Sequence, residues 1–168
     1  NGPHAKNTIV VLFSDHGYHL GEKQRWSKFS LWERTTHVPL IISVPDGVKG
    51  ETDKPVELLS LYPTLIDLCG LPANPKLEGV SLRPLLEDPK ADWKHVAIST
   101  LGQNNHAVRD ARWRYIRYAD GSEELYDHLS DPDEWKNLAA TKPKQFHADV
   151  IARLKKHLPT KNLSQQGD

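Results

Sequence analysis

The feature that most constrains the fold is the run Ile9-Val10-Val11-Leu12-Phe13, which ends abruptly in Ser14-Asp15-His16-Gly17. A continuous β-branched and apolar run predicts a strand covered on both faces in an α/β sheet rather than one face of a hairpin. Open sheets of that kind place ligands in the loop after a strand. Asp15 and His16 are therefore candidates for holding a divalent cation or a phosphate-like group, against the plainer reading of a loop carboxylate that caps a turn.

Downstream, a short helical turn is expected around Leu31 to Thr36 and a second buried strand from Val38 to Val44, stopped by Pro45-Asp46-Gly47. Val56 to Leu59 reads as extended, with Ser60 as N-cap of a helix over Leu61 to Cys69. Pro63 sits in its first turn, and Gly70 and Pro72 end it. Cys69 then falls at the helix end on the apolar face, as a core residue. A short helix is expected near Ser81 to Leu86, and His95 to Thr100 reads as a strand.

Beyond residue 100 the character changes. Trp113, Tyr115 and Arg117 alternate with Arg114, Ile116 and Tyr118, and Asp120-Gly121 marks a hairpin turn. Phe146, Val150, Ile151, Leu154 and Leu158 have the spacing of an amphipathic helix. The expected organisation is part of an α/β layer over residues 1–100, a small antiparallel α+β subdomain over 101–160, and a flexible tail over 161–168.

Lys plus Arg equals Asp plus Glu at 22 each, which argues against a chain built to grip nucleic acid or an anionic membrane. No segment approaches the roughly 18 apolar residues of a spanning helix. With one cysteine, Cys69, no intrachain disulfide exists. The apolar fraction is 38% and the mean hydropathy is -0.61, so some elements are expected to need further protein to cover them. The opening residues read as a loop running straight into a buried strand, as in a chain cut from something longer.

Ser14-Asp15-His16-Gly17, Leu20-Gly21-Glu22, Trp26-Ser27-Lys28 and His37-Val38-Pro39-Leu40-Ile41 occur in that order. In this combination the chain resembles the type I, formylglycine-dependent sulfatases of the alkaline phosphatase superfamily, and within them most resembles the iduronate-2-sulfatase branch. The likeness continues through Ser60 to Pro72, Gly79 to Leu86 and the closing segment from Ala107 to Ala139. It covers nearly all of residues 8–158, as the C-terminal part of a sulfatase only.

The resemblance implies roles for particular positions. Asp15 and His16 match two ligands of the family's single divalent ion, usually Ca²⁺; Asp15 suits a hard cation and an imidazole is the less usual ligand. Lys28 matches the lysine that contacts the sulfate ester. Trp26, His19 and Glu22 flank this loop as pocket-lining or loop-supporting residues, His37 reads as a structural histidine, and Arg109 and His106 lie near a position that can face the site. The substrate implied is a sulfated carbohydrate.

The nucleophile motif, Cys or Ser in Cys/Ser-x-Pro/Ala-x-Arg, is absent, since the only cysteine reads Cys69-Gly70-Leu71-Pro72-Ala73. The expectation is a C-terminal fragment, inactive alone, whose partner is the N-terminal part of the same sulfatase carrying formylglycine. Two other readings stand beside it. One is a metal-dependent phosphodiesterase or phosphonate hydrolase of the same superfamily. The other is a non-catalytic glycan-binding module using the basic, aromatic strand Arg112 to Tyr118.

Overall fold

The computed structural model describes residues 2–141 and 147–162. The chain is mixed α/β with antiparallel sheets. Its elements are β1 (Val10–Phe13), α1 (Glu33–Thr36), β2 (Leu40–Ser43), α2 (Leu61–Leu68), α3 (Arg83–Glu87), β3 (Ala97–Thr100), β4 (His106–Arg109), β5 (Trp113–Arg117), β6 (Glu123–Asp127) and α4 (Ala148–Lys155). Two compact units emerge that are not consecutive in sequence. The first takes the residues up to Asp15 with Val38–His95; the second takes His16–His37 with the chain from Val96 onward.

In the first unit β1 pairs antiparallel with β2, in a register that sets Val10 opposite Ser43 and Phe13 opposite Leu40. Both strands lie where the apolar runs put them, but the expected burial on both faces is absent. Val10 is 56% exposed, Leu12 55% and Ile41 60%. A two-stranded ladder supplies neither a third strand nor a second layer, so an apolar run suited to an interior stays uncovered.

The helix α2 follows a 3-10 turn over Leu58–Ser60. Ser60 already has helical dihedrals and makes no side-chain cap bond. Its Oγ accepts from the Val80 amide at 3.3 Å instead, because the 3-10 turn moves the helix start upstream of it. At the other end Gly70 adopts φ +63°, its amide donates to Asp67 O, and the Leu71 amide donates to Ile66 O. That pair of bonds is a Schellman ending, and the positive φ it requires favours glycine. Cys69, expected in the core, is exposed. The turn that ends the helix carries it past the buried stripe. Buried Thr64 ties α2 to α3, accepting from the Leu82 amide at 2.8 Å and donating to Ser60 O.

The second unit is a four-stranded antiparallel meander in the order β3-β4-β5-β6. The sequence marks the β5–β6 hairpin but does not separate β4, whose His106, Ala107 and Val108 are buried without the alternation of a one-faced strand. Both faces of the sheet are packed. Leu31, Ala107, Ile116 and Tyr126 form one cluster; Val108, Tyr115, Leu125 and Leu154 form the other, joined by Val150, Ile151 and Leu158. The amphipathic spacing of α4 therefore matches a real packing face. Phe146 lies outside the described residues, as do residues 163–168 of the predicted tail. Arg114, in the strand considered for glycan binding, is 3% exposed, so β5 presents no continuous basic face. No described helix is long and apolar enough to cross a membrane.

Candidate functional site

The loop that opens the second unit is held by short backbone contacts. The Gly17 amide donates to Thr35 O at 2.9 Å, and a Cβ on Gly17 would stand 2.1 Å from Arg34 O. Only glycine fits so close an approach, which gives the Asp-His-Gly motif its last residue. Asp15 is exposed and His16 half-buried. The His16 ring bonds Gly17 O through Nδ1 at 2.8 Å. With Nδ1 as donor the imidazole lone pair lies on Nε2, the tautomer a metal-ligating histidine needs. In donor chemistry both residues fit a cation ligand: an exposed carboxylate, and an imidazole with its tautomer set by a backbone carbonyl.

Lys28 is exposed, with Nζ 5.7 Å from the centre of the Phe29 ring. Its backbone is bracketed: the His19 amide donates to Ser27 O at 3.0 Å, and the Ser30 amide donates to Lys28 O at 3.1 Å. His19 itself is fully buried. Its Nε2 lies 2.9 Å from Ser30 Oγ, and its ring meets Trp32 edge-on at 5.8 Å. Glu22 supports the same loop by accepting from the Leu20 amide at 2.7 Å. That backbone bond holds its carboxyl below the usual carboxylate range. Trp26 is 71% exposed, with Tyr18 Oη donating to its carbonyl at 3.4 Å.

Lys23 is a feature the sequence does not reveal. Its ammonium sits 4.7 Å from the Trp32 ring and 4.6 Å from the Tyr126 ring, and donates to Glu134 O. Lys23 and Gln24 both have positive φ, at 51° and 56°, a conformation that costs about 1–3 kcal/mol per residue. The aromatic and carbonyl contacts of the Lys23 ammonium compensate that strain. Burial lowers its pKa.

Arg109 and His106 lie on β4. His106 is 4% exposed, and both its ring nitrogens are engaged, Nδ1 with Thr100 Oγ1 at 2.9 Å and Nε2 with Asn162 Oδ1 at 2.6 Å. Arg109 is half-buried and faces Glu33, with Nε 3.5 Å from Oε2. It belongs to a network that neither periodicity nor motif betrays, because its members come from four distant segments. Arg114 Nε lies 2.6 Å from Glu134 Oε1, and Arg114 also pairs with Glu33. His128 Nε2 lies 2.9 Å from Glu134 Oε1, and His37 Nδ1 lies 3.3 Å from Glu33 Oε1.

Glu33, His128 and Glu134 bring ligand atoms within 4.8 Å of one another, which is geometrically a possible cation site. Arg114 already lies against both carboxylates and Arg109 Nη2 lies 3.1 Å from His128 Nδ1. A metal ion there would meet two fixed positive charges, so the cluster reads as an ion-pair network.

Residues 21–164 match the family described as N-sulphoglucosamine sulphohydrolase, C-terminal. A sulfatase of Formosa agariphila is 51% identical over 140 residues, covering 83% of this chain and 28% of that protein. The solved structure of a 2-O GAG sulfatase superposes with a TM-score of 0.74 at 32% identity, over 92% of this chain and 36% of its own. A phosphonate monoester hydrolase from Silicibacter pomeroyi does so with a TM-score of 0.74 at 30% identity, over 90% of this chain and 34% of its own. The chain thus spans about a third or less of the length of these relatives. It belongs to the sulfatase C-terminal family and has the fold of the C-terminal part of a sulfatase.

Proposed function

We propose that the chain is the C-terminal part of a sulfuric ester hydrolase and that Lys28 contacts the sulfate being transferred. The observation that carries this is Lys28 itself, exposed on a loop whose backbone is fixed on both sides of it and which lies inside the matched region. A cation held there offsets charge on the sulfate oxygens and on the leaving oxygen. Trp26, exposed two residues away, offers an aromatic face to a sugar ring.

Asp15 and His16 would hold one divalent ion, with Ca²⁺ favoured by the preference of hard cations for oxygen. When bound, such an ion polarises the ester oxygens. The nucleophile, formylglycine by family resemblance, would come from protein N-terminal to this segment, so the chain alone would be inactive. The proposed substrate is a sulfated carbohydrate, with a 2-O-sulfated uronate of the iduronate-2-sulfatase type as the specific form. The motif order from Ser14 to Ile41 and the likeness to a 2-O GAG sulfatase support it.

The likeness to a phosphonate monoester hydrolase favours a second reading, in which the same loop serves a phosphorus ester. The deciding experiment joins this segment to a sulfatase N-terminal part and compares turnover of matched sulfate and phosphonate esters. A preference for the sulfate ester is expected, and a strong preference for the phosphonate would overturn the proposal.

A further inference from the structure

The loop from His16 to Trp32 contains a buried imidazole whose bonds converge on the residues either side of Lys28. His19 has no exposed surface, and it bonds to Ser27 O through the backbone amide and to Ser30 Oγ through Nε2. Ser30 in turn donates its amide to Lys28 O. Its hydroxyl lies 2.6 Å from Thr35 Oγ1, and Thr35, 4% exposed, reaches Trp32 O at 3.1 Å.

The direction of this chain of bonds follows from what is left over. His19 Nδ1 is buried with no hydrogen-bond partner among the described residues. An orphaned N-H there would lose its full hydration, whereas an orphaned lone pair is less costly. The proton therefore belongs on Nε2, which donates to Ser30 Oγ; Ser30 Oγ donates to Thr35 Oγ1, and Thr35 donates to a carbonyl of its own turn.

We infer that His19 is the positioning residue of Lys28: a neutral, buried imidazole that fixes the backbone at Ser27 and Ser30 and so sets where the lysine ammonium stands. The assignment rests on the proposed sulfate contact of Lys28. Burial, which outweighs the opposing charge of Glu22, holds the imidazole pKa below its ordinary value and keeps the ring neutral. His19 thus acts on substrate only through Lys28.

The test is a double-mutant cycle in the sulfatase joined from this segment and an N-terminal part, assayed on a sulfate ester. Ser30→Ala removes the acceptor without disturbing the ring, His19→Gln keeps a donor near the Nε2 position, and His19→Phe removes it. Ser30→Ala and His19→Phe are expected to lower kcat/KM on the order of 10–100-fold, the scale of a misplaced catalytic group, with His19→Gln restoring most of it. In a Lys28→Ala background neither should cost anything further. Faster exchange of the residue-30 amide in a folded Ser30→Ala variant would accompany the loss, and that variant covers the case in which His19→Phe does not fold. Losses that add to that of Lys28→Ala, or no loss in Ser30→Ala, would overturn the inference while leaving the Lys28 contact standing. An unaffected Lys28→Ala enzyme would instead overturn the proposed function.

Discussion

Arg114 and Glu134 form a buried ion pair, with Nε 2.6 Å from Oε1 and side-chain exposures of 3% and 1%. It joins the centre of β5 to the loop after β6, and Glu134 Oε2 reaches back to accept from the Glu33 amide at 2.9 Å. Removing one partner leaves a buried charge uncompensated, which typically costs about 3–5 kcal/mol. Arg114→Met should destabilise the chain by that amount in denaturant unfolding, and a change below 1 kcal/mol would show that the pair is not buried in solution.

Glu33 gives this network its pH dependence. Burial alone would raise its carboxyl, but the bond to His37 and the charges of Arg114 and Arg109 together outweigh it and hold the pKa far below the usual carboxylate range. A folded value below the unfolded one means a contribution complete above about pH 4.5 and lost as the pH falls towards the folded value. Stability measured from pH 5 down to pH 3 should therefore fall less steeply in Glu33→Gln than in the parent. Equal slopes would refute the assignment.

Gly17→Ala must move the backbone, since the new Cβ would stand 2.1 Å from Arg34 O. Overpacking of this kind costs typically about 1–3 kcal/mol, and the Gly17-Thr35 bond would be lost with it. Thermal unfolding should show the loss, and proton NMR should show a changed environment for the His19 ring. An Ala variant of unchanged Tm would contradict the close approach.

How much of this was legible in the sequence depends on how local the signal is. The strands at Val10 and Leu40, the hairpin at Asp120-Gly121 and the helix through Leu154 announce themselves through runs, turn residues and spacing within a few positions. The exposure of Leu12 was not legible, because a buried-strand composition records what the strand is suited to and not what covers it. The Arg114-Glu134 pair and the seat of Lys23 escaped for another reason: Glu134 lies well beyond the strand that carries Arg114, Lys23 reaches Tyr126 and Glu134 at sequence separations of 103 and 111, and a single charged residue carries no mark of its partner. For the loop, motif order singles out Asp15, His16 and Lys28 as candidates, whereas the buried bonding of His19 emerged only in three dimensions.

The exposed face of β1 makes a separate prediction. Leu12 is 55% exposed, so Leu12→Asn should change the stability of this chain by no more than about 0.5 kcal/mol. If an N-terminal part covers that face, the same substitution should weaken association with it. Analytical ultracentrifugation of the two parts would show the change, and unaltered association would place the contact elsewhere.

The most direct measurement is kcat/KM for a sulfate ester with Lys28→Ala, in the protein formed from this segment and an N-terminal sulfatase part. Loss of a group that stabilises transition-state charge costs about 10²–10³-fold, and a fall of that size, with Ca²⁺ present throughout, is the expected result. Activity equal to that of the parent would contradict the sulfate contact and the placement of the active site on this loop.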